Sequence, residues 1–139
     1  MVILFLARTL QNLLCINLKG GFVMLNETYK INNDFIIKLH GNFDADTVKV
    51  MKDDIEAYSK YSSNIIFDLE QVPFIDSSGI GAIVFLYKRM VAKGFSVSVT
   101  GLTQQPLELF QMLFLDKTIN CYANVDCYFE TSNILQVAS

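Results

Sequence analysis

The sequence has few of the residues that build metal centres. It contains one histidine, His40, and three cysteines, Cys15, Cys121 and Cys127, none of which forms a CxxC pair. A structural zinc site needs about four such ligands at close spacing, so the sequence predicts no metal site of this kind. The cysteines are interpreted as structural thiols in a reducing compartment, the cytoplasm.

Clustered positive charge is also missing. Eleven Lys and Arg residues are outnumbered by fourteen Asp and Glu residues, which gives a formal net charge of -3. Nucleic acids and anionic lipid surfaces are bound by patches of Lys and Arg, so a nucleic-acid partner is disfavoured. The chain is 52% hydrophobic and 18% charged over 139 residues, which predicts one compact domain rather than a disordered chain.

No apolar run is long enough to span a bilayer. The first apolar stretch, Met1 to Ala7, ends at Arg8, well short of the ~20 residues that a transmembrane helix needs. A secretory signal carries its positive charge before the apolar run, whereas Arg8 follows it, and Leu18-Lys19 stands where cleavage would occur. We therefore predict neither export nor direct membrane insertion.

Residues 1–23 differ in character from the rest of the chain. They contain no acidic residue and end at Lys19-Gly20-Gly21, shortly before Met24. Because Lys-Gly-Gly can be encoded by a purine-rich ribosome-binding sequence, one hypothesis is that translation starts at Met24. The alternative is an amphipathic N-terminal helix that lies on the domain or on a partner. The predicted division is an extension over 1–23 and a single domain over 24–139.

Strand-like and helix-like segments alternate from Leu25 onward. Predicted strands cover 29–31, 35–39, 64–69, 95–99 and 118–121, and predicted helices lie at about 45–58, 77–91, 103–114 and 124–135. The run 65–69 is almost continuously apolar, which is typical of a central strand buried on both faces. The pattern predicts an α/β fold with a mixed sheet of about five strands and about four helices.

The stretch from Val72 to Gly81 connects a predicted strand to a predicted helix. Asp76, Ser77 and Ser78 are preferred N-cap or first-turn residues, because their side-chain oxygens bind backbone N–H groups that have no partner inside the helix. Functional sites of α/β folds collect at such junctions.

Catalytic and nucleotide-binding patterns fit this stretch poorly. The pair Ser77-Ser78 lacks the glycine that precedes the nucleophile of a hydrolase, and His40 has no evident orienting partner. Gly79-x-Gly81 matches neither the dinucleotide-binding nor the phosphate-loop pattern and is better explained by close packing. We predict no catalytic residue and no cofactor.

Three acidic residues near the predicted helix starts leave two interpretations open. Asp44, Asp46 and Asp76 could gather around a divalent cation, but each also fits as an ordinary helix cap. The cap interpretation is preferred, so we predict no metal.

The serines also have two interpretations. They could serve only as helix caps, worth ~1 kcal/mol. A serine at a helix N-terminus also suits a phosphate, whose added charge would disrupt an apolar docking surface beside it. Phe43, Ile75 and Ile80 are candidates for that surface, although the spacing of Ile75 and Ile80 fits the core equally well.

Three segments resemble the motifs of STAS domains, specifically the bacterial anti-sigma factor antagonists: Asn64–Leu69, Phe74–Gly81 and His40–Asp44. The resemblance extends from about Met24 to the C-terminus. It implies a small α/β fold and a role in partner switching. In such systems the unphosphorylated antagonist binds a serine kinase that is also an anti-sigma factor, phosphorylation breaks the complex, and a PP2C-type phosphatase restores it.

The resemblance also implies roles for individual residues. Ser78, directly before Gly79, matches the phosphoacceptor, Asp76 matches the acidic residue before the serine pair, and Asp44 matches an acidic residue beside the phosphorylation site. The whole implied switch surface is Asn42, Phe43, Asp44, Ile75, Asp76, Ser77, Ser78, Gly79 and Ile80. Further candidates with weaker support are Glu70 to Val72 and Val84.

We therefore predict a cytoplasmic, non-enzymatic binding switch controlled by phosphorylation of Ser78. An alternative is a STAS adaptor subunit that docks constitutively onto a larger complex such as a lipid transporter, in which Ser78 would carry no phosphate. An enzyme would require a cleft that places His40 within hydrogen-bond reach of a serine.

Overall fold

The computed structural model describes residues 26–138, and for 134–138 it describes the backbone alone. The two hypotheses for residues 1–23 lie outside the described residues, as does Cys15. The strands are β1 Glu27–Ile31, β2 Asp34–His40, β3 Asn64–Gln71, β4 Val97–Thr100 and β5 Asn120–Tyr122. The helices are α1 Ala45–Val50, α2 Lys52–Tyr58, α3 Ser77–Ala92, α4 Gln104–Met112 and α5 Val125–Ala138, with a 3-10 helix at Leu115–Lys117.

The five strands form one mixed sheet, in which they lie in the same order as in the chain. The β1 strand pairs antiparallel with β2, and each of the remaining neighbouring pairs is parallel. A helical crossover joins the two strands of each parallel pair, as parallel pairing requires. The predicted α/β class and mixed sheet are confirmed.

The hairpin between β1 and β2 forms where the sequence predicts it. Ile31 pairs with Asp34, so Asn32 and Asn33 are the two turn residues. Asn32 adopts a positive φ of 55°, a conformation that asparagine tolerates better than most residues. This turn fixes the register of the antiparallel pair.

The β3 strand is the centre of the sheet and of the hydrophobic core. Its residues alternate between the two faces: Ile65, Phe67 and Leu69 belong to the main core, and Ile66 belongs to a smaller one. All four are fully buried. The main core also contains side chains from α2, α3 and α4, and Val48 of α1 packs against it, whereas the small one includes Tyr128 of α5. The prediction of a central strand buried on both faces is confirmed.

Two helix predictions need correction. The helix predicted over 45–58 is divided at Met51, where the backbone leaves the helical region with φ -87° and ψ 1°. The division lets Met51 reach the main core together with Ile55 and Tyr58. It also raises the number of helices to five, of which four have seven residues or more.

The second correction concerns the end of α4. The apolar spacing predicts that Leu113 and Phe114 lie on this helix, but it ends at Met112. Phe114 adopts the left-handed conformation, with φ 56°, and this backbone cannot continue a right-handed helix. Its side chain is 71% exposed.

Tyr128 makes the stability of the fold sensitive to alkaline pH. Burial, together with the Asp34 carboxylate that accepts a hydrogen bond from the Tyr128 hydroxyl at 3.0 Å, raises the pKa of Tyr128 to about 12 from 10.0. Between these values the unfolded chain loses its phenolic proton more readily than the folded protein, so raising the pH favours unfolding. We expect the free energy of unfolding to fall as the pH rises through this window.

The measurement is urea denaturation at a series of pH values, with Tyr128→Phe as the comparison. The variant lacks the titrating group, so its free energy of unfolding should decline less steeply with pH above 10 than that of the wild type. Slopes are compared rather than absolute values, because the variant also lacks the hydrogen bond at neutral pH. Equal slopes would show that Tyr128 makes no such contribution.

Candidate functional site

The candidate site lies where two neighbouring strands end. The parallel strands β2 and β3 end at His40 and Gln71, so the loops that follow them lie at the same edge of the sheet. The two loops are joined by an isolated parallel bridge between Phe43 and Ile75, and the Phe43 N–H donates to the Phe74 carbonyl at 2.9 Å. These contacts place the start of α1 beside the start of α3.

A single carboxylate connects the N-termini of the two helices. The Oδ1 atom of Asp76 accepts from the N–H groups of Ser78 at 2.8 Å and Gly79 at 3.1 Å, which caps α3. Its Oδ2 atom accepts from the N–H group of Ala45, the first residue of α1, at 3.0 Å. The predicted capping role of Asp76 is confirmed, and its bond to α1 is an addition that the sequence does not predict.

Asp44 is the corresponding cap of α1. Its Oδ1 atom accepts from the Thr47 N–H group at 3.1 Å, and the Thr47 hydroxyl donates to the Asn42 carbonyl at 2.9 Å. These bonds support the cap interpretation of Asp44 and Asp76. Within residues 26–138, no group of three His, Cys, Asp or Glu side chains is placed to hold a metal ion.

The two serines form the first turn of α3. Ser77 is exposed and Ser78 is half-buried, and both lie at the positive end of the helix dipole. Together with the exposed Asn42 and the half-buried Asp44 and Asp76, they are the polar residues of the implied switch surface that this edge of the sheet brings together.

The apolar candidates lie beneath this surface. Phe43 and Ile75 are fully buried and Ile80 is 8% exposed, and all three belong to the main core. The prediction that the side chains of these three residues line the switch surface is therefore wrong, and the core alternative left open for Ile75 and Ile80 is confirmed. The bridge between the two loops turns Phe43 and Ile75 inward, towards the helices that cover the sheet. The exposed apolar side chain of these loops is Phe74, 41% exposed, which the sequence does not single out.

The pair of glycines has two different roles. A Cβ atom on Gly79 would clash with the Phe43 carbonyl oxygen and lie 2.7 Å from Cγ1 of Ile75, so α3 begins in direct contact with the two loops. A Cβ atom on Gly81 would meet nothing within 4 Å. The close-packing interpretation is therefore confirmed for Gly79 and is wrong for Gly81.

Sequence reasoning also missed Gln105, in the first turn of α4. Its side chain makes two hydrogen bonds to the backbone of Ile75, 30 residues earlier in the chain. No local pattern marks a glutamine for such a contact, because both of the bonded groups belong to the backbone of a distant loop.

His40, the residue on which the enzyme hypothesis depends, contacts an acidic side chain. Its Nε2 atom lies 3.4 Å from the Glu27 carboxylate on the neighbouring strand β1. This contact differs from the serine contact that the enzyme hypothesis requires.

Comparison with known proteins identifies the family. The family model described as the STAS domain matches residues 26–127. The chain belongs to the STAS domain family. The resemblance noted in the sequence is thus confirmed. No helix of this STAS domain, within the residues that the structure describes, is long and apolar enough to cross a membrane.

One relative and two solved structures are informative. The STAS domain is 23% identical over 91 residues to the anti-sigma-B factor antagonist of Bacillus subtilis (strain 168), which covers 66% of this chain and 84% of the relative. The Bacillus cell fate determinant SpoIIAA in its phosphorylated form matches with a TM-score of 0.62 and 18% identity, over 77% of this chain and 98% of that one. A sulfate transporter family protein from Wolinella succinogenes matches with a TM-score of 0.65 and 14% identity, over 81% and 94%. The two structural matches show a shared fold, and the relative is named as an antagonist of an anti-sigma factor.

Proposed function

We propose that this STAS domain is a cytoplasmic anti-sigma factor antagonist controlled by phosphorylation of Ser78. The unphosphorylated protein binds an anti-sigma factor that is also a serine kinase. Phosphate on Ser78 releases that partner, and a PP2C-type phosphatase removes the phosphate. The homology to an anti-sigma-B factor antagonist supports the general role. The position of Ser78, on the first turn of α3 with its N–H group bound to the Asp76 carboxylate, is the observation that carries the switch.

The anchoring of the turn supports a switch that acts through charge. The Asp76 carboxylate already occupies the N–H groups of Ser78 and Gly79, so they are not free to neutralise an added phosphate. A phosphoserine carries a charge of about -1.5 to -2 and would stand beside the Asp76 carboxylate, which binds the N–H group of the same residue. The charge would therefore project onto the surface where Asn42, Ser77 and Phe74 are exposed.

A partner that docks on this surface would be opposed by the added charge. Phe74 is the apolar side chain available to such a partner, and burying it next to an unpaired phosphate requires the phosphate to lose its hydration. Like charges placed across an interface also cost binding energy. A single phosphate would thus release the partner without any rearrangement of the fold.

The test compares the affinities of three variants for the anti-sigma factor of the host organism by calorimetry. Ser78→Ala should bind like the unphosphorylated wild type, whereas Ser78→Asp should bind at least about tenfold more weakly, since one buried like-charge or desolvation cost of ~1.4 kcal/mol has this effect. Ser77→Asp is the matched control, because it adds the same charge at the neighbouring position. Ser77 is more exposed than Ser78, so its added charge keeps more of its hydration and its loss of affinity should be smaller. Equal affinities of Ser78→Ala and Ser78→Asp would rule out the switch.

A second candidate function is a constitutive adaptor subunit. The fold match to a sulfate transporter family protein is the observation that favours it. An adaptor of this kind would carry no phosphate on Ser78, so phosphopeptide mass spectrometry of the protein from its host separates the two functions. Phosphate on Ser78 and not on Ser77 is the result that the switch requires.

A further inference from the structure

The side chain of Gln105 forms two hydrogen bonds to the backbone at the edge of the candidate site. Its Oε1 atom accepts from the Ile75 N–H group at 2.9 Å, and its Nε2 atom donates to the Ile75 carbonyl at 2.9 Å. A carboxamide offers a donor and an acceptor in the arrangement of a peptide group, so it can pair with the backbone as a neighbouring strand would.

The peptide groups around Ile75 are consequently held from two sides. On one side Phe43 forms the parallel bridge: its N–H group donates to the Phe74 carbonyl, and its carbonyl accepts from the Asp76 N–H group. On the other side lies the Gln105 carboxamide. The residue that follows Ile75 is Asp76, whose carboxylate caps α3 and binds α1, so any shift of the Ile75 peptide moves the cap.

The backbone of α4 is strained at the residue that precedes Gln105. Gln104 adopts a positive φ of 49°, a backbone conformation that residues other than glycine, asparagine and aspartate rarely adopt. Pro106, directly after Gln105, is buried. Gln105 thus lies between a strained residue and a buried proline, and these two neighbours fix the position of its Cα atom. Such strain persists only where the surrounding structure imposes it.

We propose that Gln105 is a positioning residue of the switch, which fixes the Ile75 peptide and through it the Asp76 cap and the Ser78 hydroxyl. The geometric part of this inference concerns the turn alone, and its role in signalling rests on the proposed function. It assigns to α4 a direct part in the geometry of a site that α1 and α3 otherwise form.

The first test uses two-dimensional NMR spectra of the wild type, Gln105→Leu and Gln105→Glu. Gln105→Leu removes both hydrogen bonds while keeping a side chain of similar size, and hydrogen exchange at the Ile75 amide should become about tenfold faster or more, the effect of losing one hydrogen bond. The amide resonances of Ala45, Ser78 and Gly79 should shift as well. Gln111→Glu is the matched control, because Gln111 is exposed on the same helix, and it should leave these resonances in place.

Gln105→Glu provides a second readout, the pH dependence of the amide resonances, which a general loss of stability would not reproduce. The carboxylate introduced by Gln105→Glu can accept from the Ile75 N–H group but cannot donate to the Ile75 carbonyl, whereas its protonated form can do both. The shifted resonances of Ser78 and Gly79 should therefore return towards their wild-type positions as the pH is lowered. The same pH titration of the wild type is the control, because it shows any resonance changes that come from the carboxyl groups of Asp44, Asp76 and Glu108.

The outcomes distinguish this inference from the proposed function. If the Ile75 amide changes while Ala45, Ser78 and Gly79 keep their resonances, Gln105 positions nothing beyond its own bond and the inference is overturned. Phosphopeptide mass spectrometry of wild type and Gln105→Glu from the host then tests signalling, with Gln105→Glu expected to carry less phosphate on Ser78. Equal phosphate on both overturns the role in signalling, whereas no phosphate on the wild type overturns the proposed function and leaves the NMR result intact.

Discussion

Replacing Asp76 with alanine is expected to lower the free energy of unfolding by about 3 kcal/mol. Loss of an N-cap side chain costs up to ~2 kcal/mol, and the bond to Ala45 adds about 1 kcal/mol, the usual net contribution of a hydrogen bond. The variant would leave three backbone N–H groups at the starts of α1 and α3 without this acceptor. Urea denaturation followed by circular dichroism measures the effect.

Asp44→Ala is the matched control for this variant. Asp44 caps α1 through a single bond to Thr47, so its loss should cost about 1 kcal/mol. If Asp76→Ala proved no more costly than Asp44→Ala, the bridge between the two helices would contribute nothing to stability. The free energy of unfolding lost in Asp76→Asn should lie between the losses of Asp76→Ala and Asp44→Ala, because the asparagine amide retains one oxygen acceptor.

Gly79→Ala is expected to destabilise the protein by about 2 kcal/mol. The added methyl group would overlap the Phe43 carbonyl oxygen and lie 2.7 Å from Cγ1 of Ile75, and both of these residues are fully buried. Overpacking of this kind costs about 3 kcal/mol at the upper end of its usual range, and the better helix propensity of alanine returns about 1 kcal/mol. The backbone oxygen of Phe43 has little freedom to move, because the bridge to Ile75 fixes it.

Gly81→Ala supplies the comparison within the same helix. Its added methyl group would meet nothing within 4 Å, so only the gain in helix propensity remains, and the free energy of unfolding should rise by about 1 kcal/mol. In thermal denaturation, Gly81→Ala should therefore unfold at a higher temperature than the wild type and Gly79→Ala at a lower one. A stabilising effect of Gly79→Ala would contradict the close contact between α3 and the loop that contains Phe43.

Local signals explain why much of the site could be predicted from the sequence. Asp76 and Asp44 stand immediately before apolar helical repeats, and short acidic side chains at such positions bind the free N–H groups of the next turn. The central position of β3 follows from its nearly continuous apolar run. In each of these cases the interaction that decides the structure lies within a few residues of the chain.

Contacts between distant segments explain what the sequence did not predict. Phe43 and Ile75 each lie next to polar residues, which suggests a surface, but the bridge between their loops turns both side chains into the core. The contact of Gln105 with Ile75 spans 30 residues and involves no pattern of charge or hydrophobicity. Only the folded arrangement of the loops places these groups together.

Helix ends were predicted less accurately for a similar reason. The apolar spacing from Val48 to Tyr58 is continuous, yet the chain bends at Met51 to bring the second half of this segment into the core. At the end of α4, the left-handed backbone of Phe114 stops the helix, although phenylalanine is not a residue that usually marks such an end. Tertiary packing overrides local propensity at both positions.

The strand order of the sheet has a consequence for folding during synthesis. Because each strand pairs with the strand that precedes it in the chain, each new strand meets a partner that has already left the ribosome. The hairpin of β1 and β2 is available first, and the bridge from Asp76 to Ala45 is available once α3 has been made. Gln105 emerges later, so the turn that bears Ser78 reaches its final geometry only when α4 docks beside it.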